Sequence, residues 1–179
     1  MIYERTKDNK ARFVLGEKGE RTLVIFGVNP STADDVKLDR TVTRVTRYAK
    51  KQGFDGWLMF NLYAQRKTDP KCLDKDPDPE YLRGNLMHVA QHVDKGSVIW
   101  AAWGNLIVSR KFLTGCLNEI NRALLDKKVR WKMIGLTKKG HPRHPRMMRY
   151  DAEFVDFDIK SYLEPGHSRS VLRRTTGND

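Results

Sequence analysis

The stretch TLVIFGVNPSTAD, residues 22–34, contains the pattern that decides the fold. Its apolar run, residues 23–26, has no polar alternation, which is typical of a strand buried on both faces in a parallel sheet. The run ends in a turn in which Gly27 permits close backbone approach and Pro30 fixes φ. Because open α/β sheets bind ligands beyond the carboxyl ends of their strands, this loop is a candidate site. An ordinary strand-to-helix turn is the alternative.

Further apolar runs predict three more strands, at residues 56–64, 96–104 and 129–136. Amphipathic segments between them predict helices at residues 39–52, with Asp39 as the cap, at residues 79–95 and at residues 105–126. Residues 151–163 alternate like a strand but also fit a helix. The sequence therefore predicts an α/β protein, a three-layer α/β/α sandwich with a four-stranded parallel central sheet.

Two apolar segments near the N-terminus, residues 10–15 and 21–26, flank a polar turn and predict a β-hairpin. Such a hairpin adds an antiparallel edge strand beside the central strand. We expect one domain over residues 1–164, because this length supports a single full core. Residues 165–179 are polar and basic, and we expect them to form a mobile tail.

Charge favours a polyanion as partner. The chain has 34 basic and 22 acidic residues, a formal net charge of +12. Small-molecule metabolism does not require such an excess, whereas nucleic-acid binding does. A basic surface that serves only solubility is the alternative.

Cysteine usage and hydropathy favour a cytoplasmic protein. Cys72 and Cys116 fit no metal-ligand spacing and are read as free thiols in a reducing compartment. No apolar stretch has membrane-span length, and the N-terminus has no signal-peptide core. His88 and His92 stand four residues apart without an evident third ligand. We expect a monomer without a metal, a cofactor or a membrane partner.

A second dense stretch, residues 137–149 (TKKGHPRHPRMMR), follows the last predicted parallel strand. It contains five Lys or Arg residues, two histidines and two prolines, and no acid. The prolines stiffen the segment, so its side chains are held outward. A plain solvated loop is the alternative to a nucleic-acid site. The predicted nucleic-acid-binding residues are Lys138, Lys139, Arg143, His144, Arg146 and Arg149.

Asn61 is a polar anomaly in the second strand, among the apolar residues of GWLMFNLYA. If it is buried, its amide requires hydrogen-bond partners within the core. The other possibility is that it points from the end of the strand into a site.

Four strand ends carry, in order, Gly27-Val28-Asn29-Pro30, Asn61, Trp103-Gly104 and His141-Pro142. This series resembles the uracil-DNA glycosylase superfamily, over about residues 22–145. It is most similar to small bacterial and phage proteins of unknown function with GVNPSTAD and GHPRHP signatures. Asn29 stands where the fastest members of the superfamily have a catalytic Asp, and Arg143 follows His-Pro where a serine is usual. The resemblance therefore leaves the substrate base open.

The resemblance implies a uracil-DNA glycosylase-like fold and hydrolysis of the N-glycosidic bond of an unusual, modified or damaged base in DNA. The phage occurrence of the similar proteins suggests a modified phage base, in antiphage defence or in self-modification. The alternatives are an enzyme that modifies a nucleotide or base without releasing it, and a non-catalytic nucleic-acid-binding module.

Glycosidic cleavage requires a positioned water, a carboxylate near the sugar and a donor to the departing base. The resemblance implies Asn29 for the water and His141 for the base, and Asp34 is the predicted carboxylate. Asp39 is a second candidate for the carboxylate unless it only caps a helix. The predicted base-binding residues are Gly27, Asn61 and Trp103, with Phe60, Tyr63 and Trp103 as candidates to stack on a flipped base.

Overall fold

Strand β3 (Thr22–Gly27), formed by the apolar run, lies in the interior of a seven-stranded mixed sheet. The computed structural model describes residues 1–149 and 151–164. The other strands are β1 (Ile2–Arg5), β2 (Arg12–Glu17), β4 (Gly56–Asn61), β5 (Val98–Ala101), β6 (Arg130–Met133) and β7 (Val155–Asp156). The sheet order is β1-β2-β4-β3-β5-β6-β7.

Parallel pairing brings several predicted site residues together at the carboxyl ends of neighbouring strands. β3 pairs in parallel with β4 and with β5, and β5 pairs in parallel with β6. The register sets Gly27 opposite Asn61 and Phe26 opposite Ala101. The loops that leave these strands therefore start at the same end of the sheet, where ligands bind in such folds.

The helices are α1 (Arg40–Lys51), α2 (Pro79–His92), α3 (Phe112–Ala123) and α4 (Ile159–Leu163). The predicted cap of the first helix is confirmed, because Asp39 Oδ1 accepts hydrogen bonds from Thr41 N at 2.8 Å and Val42 N at 2.9 Å. These bonds satisfy two backbone donors that the first turn of a helix leaves without intrahelical partners.

The helices cover both faces of the sheet. Phe26 of β3 shares a buried cluster with Val89 of α2 and Leu117 of α3. Ile25, the preceding residue in β3, lies in a separate cluster with Val45 of α1. Neighbouring strand residues point to opposite faces, so β3 is buried on both sides. This explains why its sequence is uninterruptedly apolar.

The prediction that residues 10–15 and 21–26 pair as a β-hairpin is wrong. β2 pairs antiparallel with β4 and not with β3, whose two edges are occupied by β4 and β5. The short polar connection after β2 therefore crosses to the far side of β4. Asp55 holds it there by accepting hydrogen bonds from Glu20 N at 3.1 Å and Arg21 N at 2.7 Å. The antiparallel N-terminal strand exists, but it lies inside the sheet, and β1 forms the edge.

Other differences concern the ends of elements. The segment predicted as one helix over residues 105–126 divides into a 3₁₀-helix at Gly104–Ser109, α3, and a 3₁₀ turn at Leu125–Lys127. Residues 151–163 contain both a strand, β7, and a short helix, α4. The predicted tail, residues 165–179, lies outside the described residues. In the part of the chain that is described, no helix has the length and apolar character needed to cross a membrane.

Candidate functional site

A cavity of about 420 Å³ opens at the carboxyl ends of β3 and β4, beside the first turn of α1. Its volume lies within the roughly 300–1,000 Å³ that is typical of small-molecule sites. Six of the residues that the sequence analysis named as candidates for catalysis or binding line it: Gly27, Asn29, Asp39, Asn61, His144 and Arg146. The cavity thus brings together three segments that are distant in sequence. They are the loop at residues 27–30, Asn61 at the end of β4, and the second of the two His-Pro units, residues 144–145 (the first is residues 141–142).

Asn61 presents an unsatisfied amide to this cavity. Its residue is only 1% exposed, yet neither Oδ1 nor Nδ2 has a hydrogen-bond partner among the described residues. Asn61 is therefore not a satisfied core amide. Gly27 leaves the room for this side chain, because a Cβ at position 27 would stand 2.9 Å from Asn61 Oδ1. An unpaired buried amide costs stability, which makes a ligand the natural partner.

The orientation of Asn29 is set by the backbone around it. Its Nδ2 donates hydrogen bonds to Lys67 O at 2.7 Å and to Pro30 O at 3.0 Å. Only an amide nitrogen can donate to carbonyl oxygens, so Oδ1 is the atom left for a ligand or water. Asn29 thus contributes an acceptor to the cavity.

His144 lines the cavity as a neutral imidazole. Burial, the largest cause, and the charge of Arg146 lower the pKa of His144 to about 4, although the charge of Asp39 acts in the opposite direction. Nδ1 accepts a hydrogen bond from Arg146 N at 3.2 Å, which places the remaining proton on Nε2. The Cβ and backbone of His144 lie beside Gly104, where an added Cβ would stand 3.1 Å from His144 Cβ and φ is +63°. Glycine at position 104 therefore supports the placement of His144.

His141 and Trp103 are not among the residues that line the cavity. Both are buried and contact Tyr162: His141 Nδ1 lies 2.8 Å from the Tyr162 hydroxyl, to which Trp103 Nε1 donates a hydrogen bond at 3.2 Å. The structure therefore brings Asn29 and Asn61 together with His144, while His141 and Trp103 are buried around Tyr162 and do not line the cavity.

The two candidate carboxylates have different positions. Asp39 caps α1 through Oδ1 and lines the cavity. Asp34 does not line it; its Oδ1 accepts hydrogen bonds from Lys37 N and Val36 N, which lower its pKa. Asp39 is thus a helix cap and a cavity carboxylate at once.

The predicted nucleic-acid-binding cations divide into three groups. Arg146 is exposed and lines the cavity. Lys138 and Lys139 are exposed in the loop that precedes His141. Arg143 and Arg149 are exposed but engaged, since Arg143 Nε donates a hydrogen bond to Leu136 O at 2.9 Å and Arg149 pairs with Asp151 at 3.1 Å. Arg146 is therefore the arginine of this loop that links its surface to the cavity.

Arg12 was not predicted as a site residue. It lines the cavity, is 2% exposed, and donates a hydrogen bond from Nη1 to Ala33 O at 2.9 Å. Burial lowers its pKa to about 10, so it remains charged at neutral pH. The available sequence signal was an arginine inside ARFVL, an otherwise apolar strand, because cations are rarely buried without a reason.

The described residues contain no group of three or more His, Cys, Asp or Glu side chains that could hold a metal ion. His88 stacks on Phe13, with ring centroids 4.8 Å apart, and His92 stacks on His88. Both cysteines are free, Cys72 exposed and Cys116 buried.

Comparison with known proteins gave one result. No curated protein and no solved structure matched the chain. The model of one family, described as a protein of unknown function (DUF1643), matches residues 12–146, which span β2 to the second His-Pro unit. The chain belongs to the DUF1643 family.

Proposed function

We propose that this protein is a DNA glycosylase that hydrolyses the N-glycosidic bond of an unusual, modified or damaged base. The observation that carries the proposal is the Asn61 amide, 1% exposed and without a hydrogen-bond partner among the described residues, in the wall of the cavity. A carboxamide offers one donor group and one acceptor, the combination that pairs with the Watson–Crick edge of a nucleobase. The proposal includes a glycosylase-like sandwich around the four strands β4, β3, β5 and β6.

The cavity residues supply the groups that glycosidic hydrolysis needs. Water adds to the anomeric carbon while the bond from that carbon to the base nitrogen breaks, and the bonding electrons leave with the base. Asn29 Oδ1 accepts a hydrogen bond from the water, and Asp39 stabilises the positive charge that develops on the sugar. The base leaves as an anion and takes up a proton, and the proton lost by water goes to solvent.

A donor for the departing base comes from the loop with the two His-Pro units. His144 lines the cavity with a proton on Nε2, and its low pKa keeps it neutral, so it stabilises the base anion as a hydrogen-bond donor. His141, the residue that the resemblance implies for this role, does not line the cavity and contacts Tyr162. The two histidines can be separated by mutation.

DNA is the proposed macromolecular substrate, because Arg146 lines the cavity and belongs to a segment, residues 137–149, with four other exposed cations. A duplex must extrude the target nucleotide before its glycosidic bond becomes accessible. We assign Met147 to the filling of the vacated stack, because it is 72% exposed next to Arg146 in sequence, whereas Met148 is buried at 5% exposure. We propose that the protein works as a cytoplasmic monomer without a metal or cofactor.

The test is the formation of abasic sites in oligonucleotides that carry a panel of damaged and phage-type modified bases, in single and double strands. Wild-type protein should release at least one base. Asn61→Ala should lose this activity, and Asn118→Ala, at an exposed position of α3, should retain it. Binding without base release throughout the panel would instead identify a nucleic-acid-binding module.

A further inference from the structure

Arg12 is a buried cation in the wall of the cavity. Its residue is 2% exposed, and it makes no ion pair with any carboxylate of the described residues. Its Nε atom has no hydrogen-bond partner there either. A charge that is buried and unpaired is expensive, so its retention at a cavity wall indicates a role toward an anion.

A second arginine close to Arg12 adds to the requirement for an anion. Arg66 Nη2 donates to the same oxygen, Ala33 O, at 3.3 Å, so two guanidinium groups converge on one carbonyl. The repulsion from Arg66 is the second cause, after burial, of the lowered pKa of Arg12, and the nearby Asp39 charge acts in the opposite direction. Tyr3 and Asp34 also raise this pKa, by less than Asp39 does.

Cations also dominate the rest of the cavity wall. Arg40, Lys67 and Arg146 line it together with Arg12, and Asp39 is the acidic residue among the described lining residues. A ligand that fits must therefore carry negative charge. It must also offer a neutral polar edge, because the unpaired Asn61 amide faces the same space.

We propose that Arg12 binds a phosphate of the nucleotide whose base is held by Asn61. A guanidinium matches the geometry of phosphate oxygens by paired hydrogen bonds, which an ammonium does not. This inference rests on the proposed base-binding role of the cavity and defines its substrate class as a phosphate-bearing nucleotide unit. The phosphate is either a backbone diester of DNA or the monoester of a free nucleotide.

Base-free product analogues test the inference without knowledge of the base. The DNA arm compares an oligonucleotide with one tetrahydrofuran abasic site against the same strand with neutral methylphosphonate linkages flanking that site. The nucleotide arm compares 2-deoxyribose 5-phosphate with 2-deoxyribose. Affinities are measured for wild type, Arg12→Gln, Arg12→Lys and the control Arg83→Gln, an exposed arginine of α2.

Wild type should prefer the phosphate-bearing probe in one arm, and that arm names the source of the phosphate. Arg12→Gln should reduce this preference by about thirtyfold or more, since one partner of a buried charge pair is removed. Arg12→Lys should give an intermediate preference, and Arg83→Gln should match wild type. The melting temperature of ligand-free Arg12→Gln should equal or exceed that of wild type, because a buried charge has been removed.

Two outcomes would overturn the inference: no phosphate preference in either arm, or a preference that Arg12→Gln and Arg12→Lys leave unchanged. If Arg12→Gln does not fold, Arg12→Lys alone decides, through the ratio of charged to neutral probe affinity. Base release at wild-type rate and KM by a folded Arg12→Gln protein would refute the phosphate site and leave the glycosylase standing. Arg12-dependent phosphate binding without base release would refute the glycosylase and leave a nucleotide site.

Discussion

Gly27 and Asn61 face each other across the parallel pair β3–β4, and the missing side chain of one makes room for the amide of the other. A Cβ at position 27 would stand 2.9 Å from Asn61 Oδ1 and 2.9 Å from Met59 Cε. Approaches this close force the neighbouring atoms to move. Glycine at the end of β3 is therefore a condition for the position of the amide at the cavity wall.

Gly27→Ala should displace Asn61 and impair base release while the protein remains folded. The added methyl group forces movement of side chains in a packed region, which typically costs about 1–3 kcal/mol of unfolding free energy. Gly115→Ala in α3 is the control, since no atom lies within 4 Å of the place its methyl group would take. It should stabilise the helix by up to about 1 kcal/mol and leave base release unchanged. Equal activity of the two variants would show that the position of Asn61 is irrelevant.

Asp39 and Asp34 provide a second pair of variants, one at the cavity and one outside it. Asp39→Asn keeps a good N-cap but removes the charge at the cavity, so single-turnover base release should fall by on the order of a hundredfold. Asp34→Asn keeps the acceptor of its local turn, outside the cavity, and should react at nearly the wild-type rate. Thermal melting should change little in both variants. A larger rate loss for Asp34→Asn would restore Asp34 as the catalytic carboxylate.

The elements that the sequence predicts correctly are those whose signal lies in neighbouring residues. The apolar run of residues 23–26 and the Asp39 cap each depend on neighbours in the chain, and β3 and α1 form as predicted. The hairpin prediction failed because strand pairing is non-local: the connection after β2 fits a tight turn, but β4 takes the position beside β3.

The sequence predicts the part of the site that lies at the ends of strands. Asn29 and Asn61 were singled out because each lies at or just after the end of an apolar run, and both line the cavity. The segment GHPRHP contains two His-Pro units, and the sequence alone does not say which one turns inward. Arg12 is distant in sequence from these motifs and reaches the cavity only because β2 is antiparallel to β4.

Arg146 should dominate the salt dependence of DNA binding among the arginines of its loop. Removal of one phosphate-binding cation lowers the slope of log K against log salt on duplex DNA by about 0.9. Arg146→Ala should show this change, whereas Arg149→Ala should show little, because Arg149 is already paired with Asp151. Fluorescence anisotropy over a salt series measures both slopes. The triple variant at positions 143, 146 and 149 should weaken binding to all sequences alike; unchanged binding would place the DNA surface elsewhere.

The two histidines should differ in what their removal affects. His144→Ala should slow single-turnover base release by on the order of a hundredfold with nearly unchanged DNA affinity, because the protein then lacks a donor to the developing anion. His141→Ala should chiefly lower unfolding free energy, by about 1–3 kcal/mol, since it removes a buried partner of Tyr162. The reverse pattern, a stable but inactive His141→Ala, would assign the donor role to His141.

The lowered pKa of His144 predicts a loss of stability in mild acid. In the native state the pKa is about 4, against 6.5 for an unperturbed histidine. As the pH falls from 6.5 to about 4, the unfolded chain binds a proton at this position and the native protein does not, so unfolding becomes easier. Above this window the effect vanishes, and below it the effect grows no further.

Urea unfolding at about pH 7 and about pH 4.5 should show that wild type loses about 2 kcal/mol more unfolding free energy than His144→Gln over this pH change. His88 and His92, whose pKa values are also lowered by burial, are present in both proteins and cancel in this difference. An equal loss in the two proteins would mean that His144 titrates normally and is open to solvent.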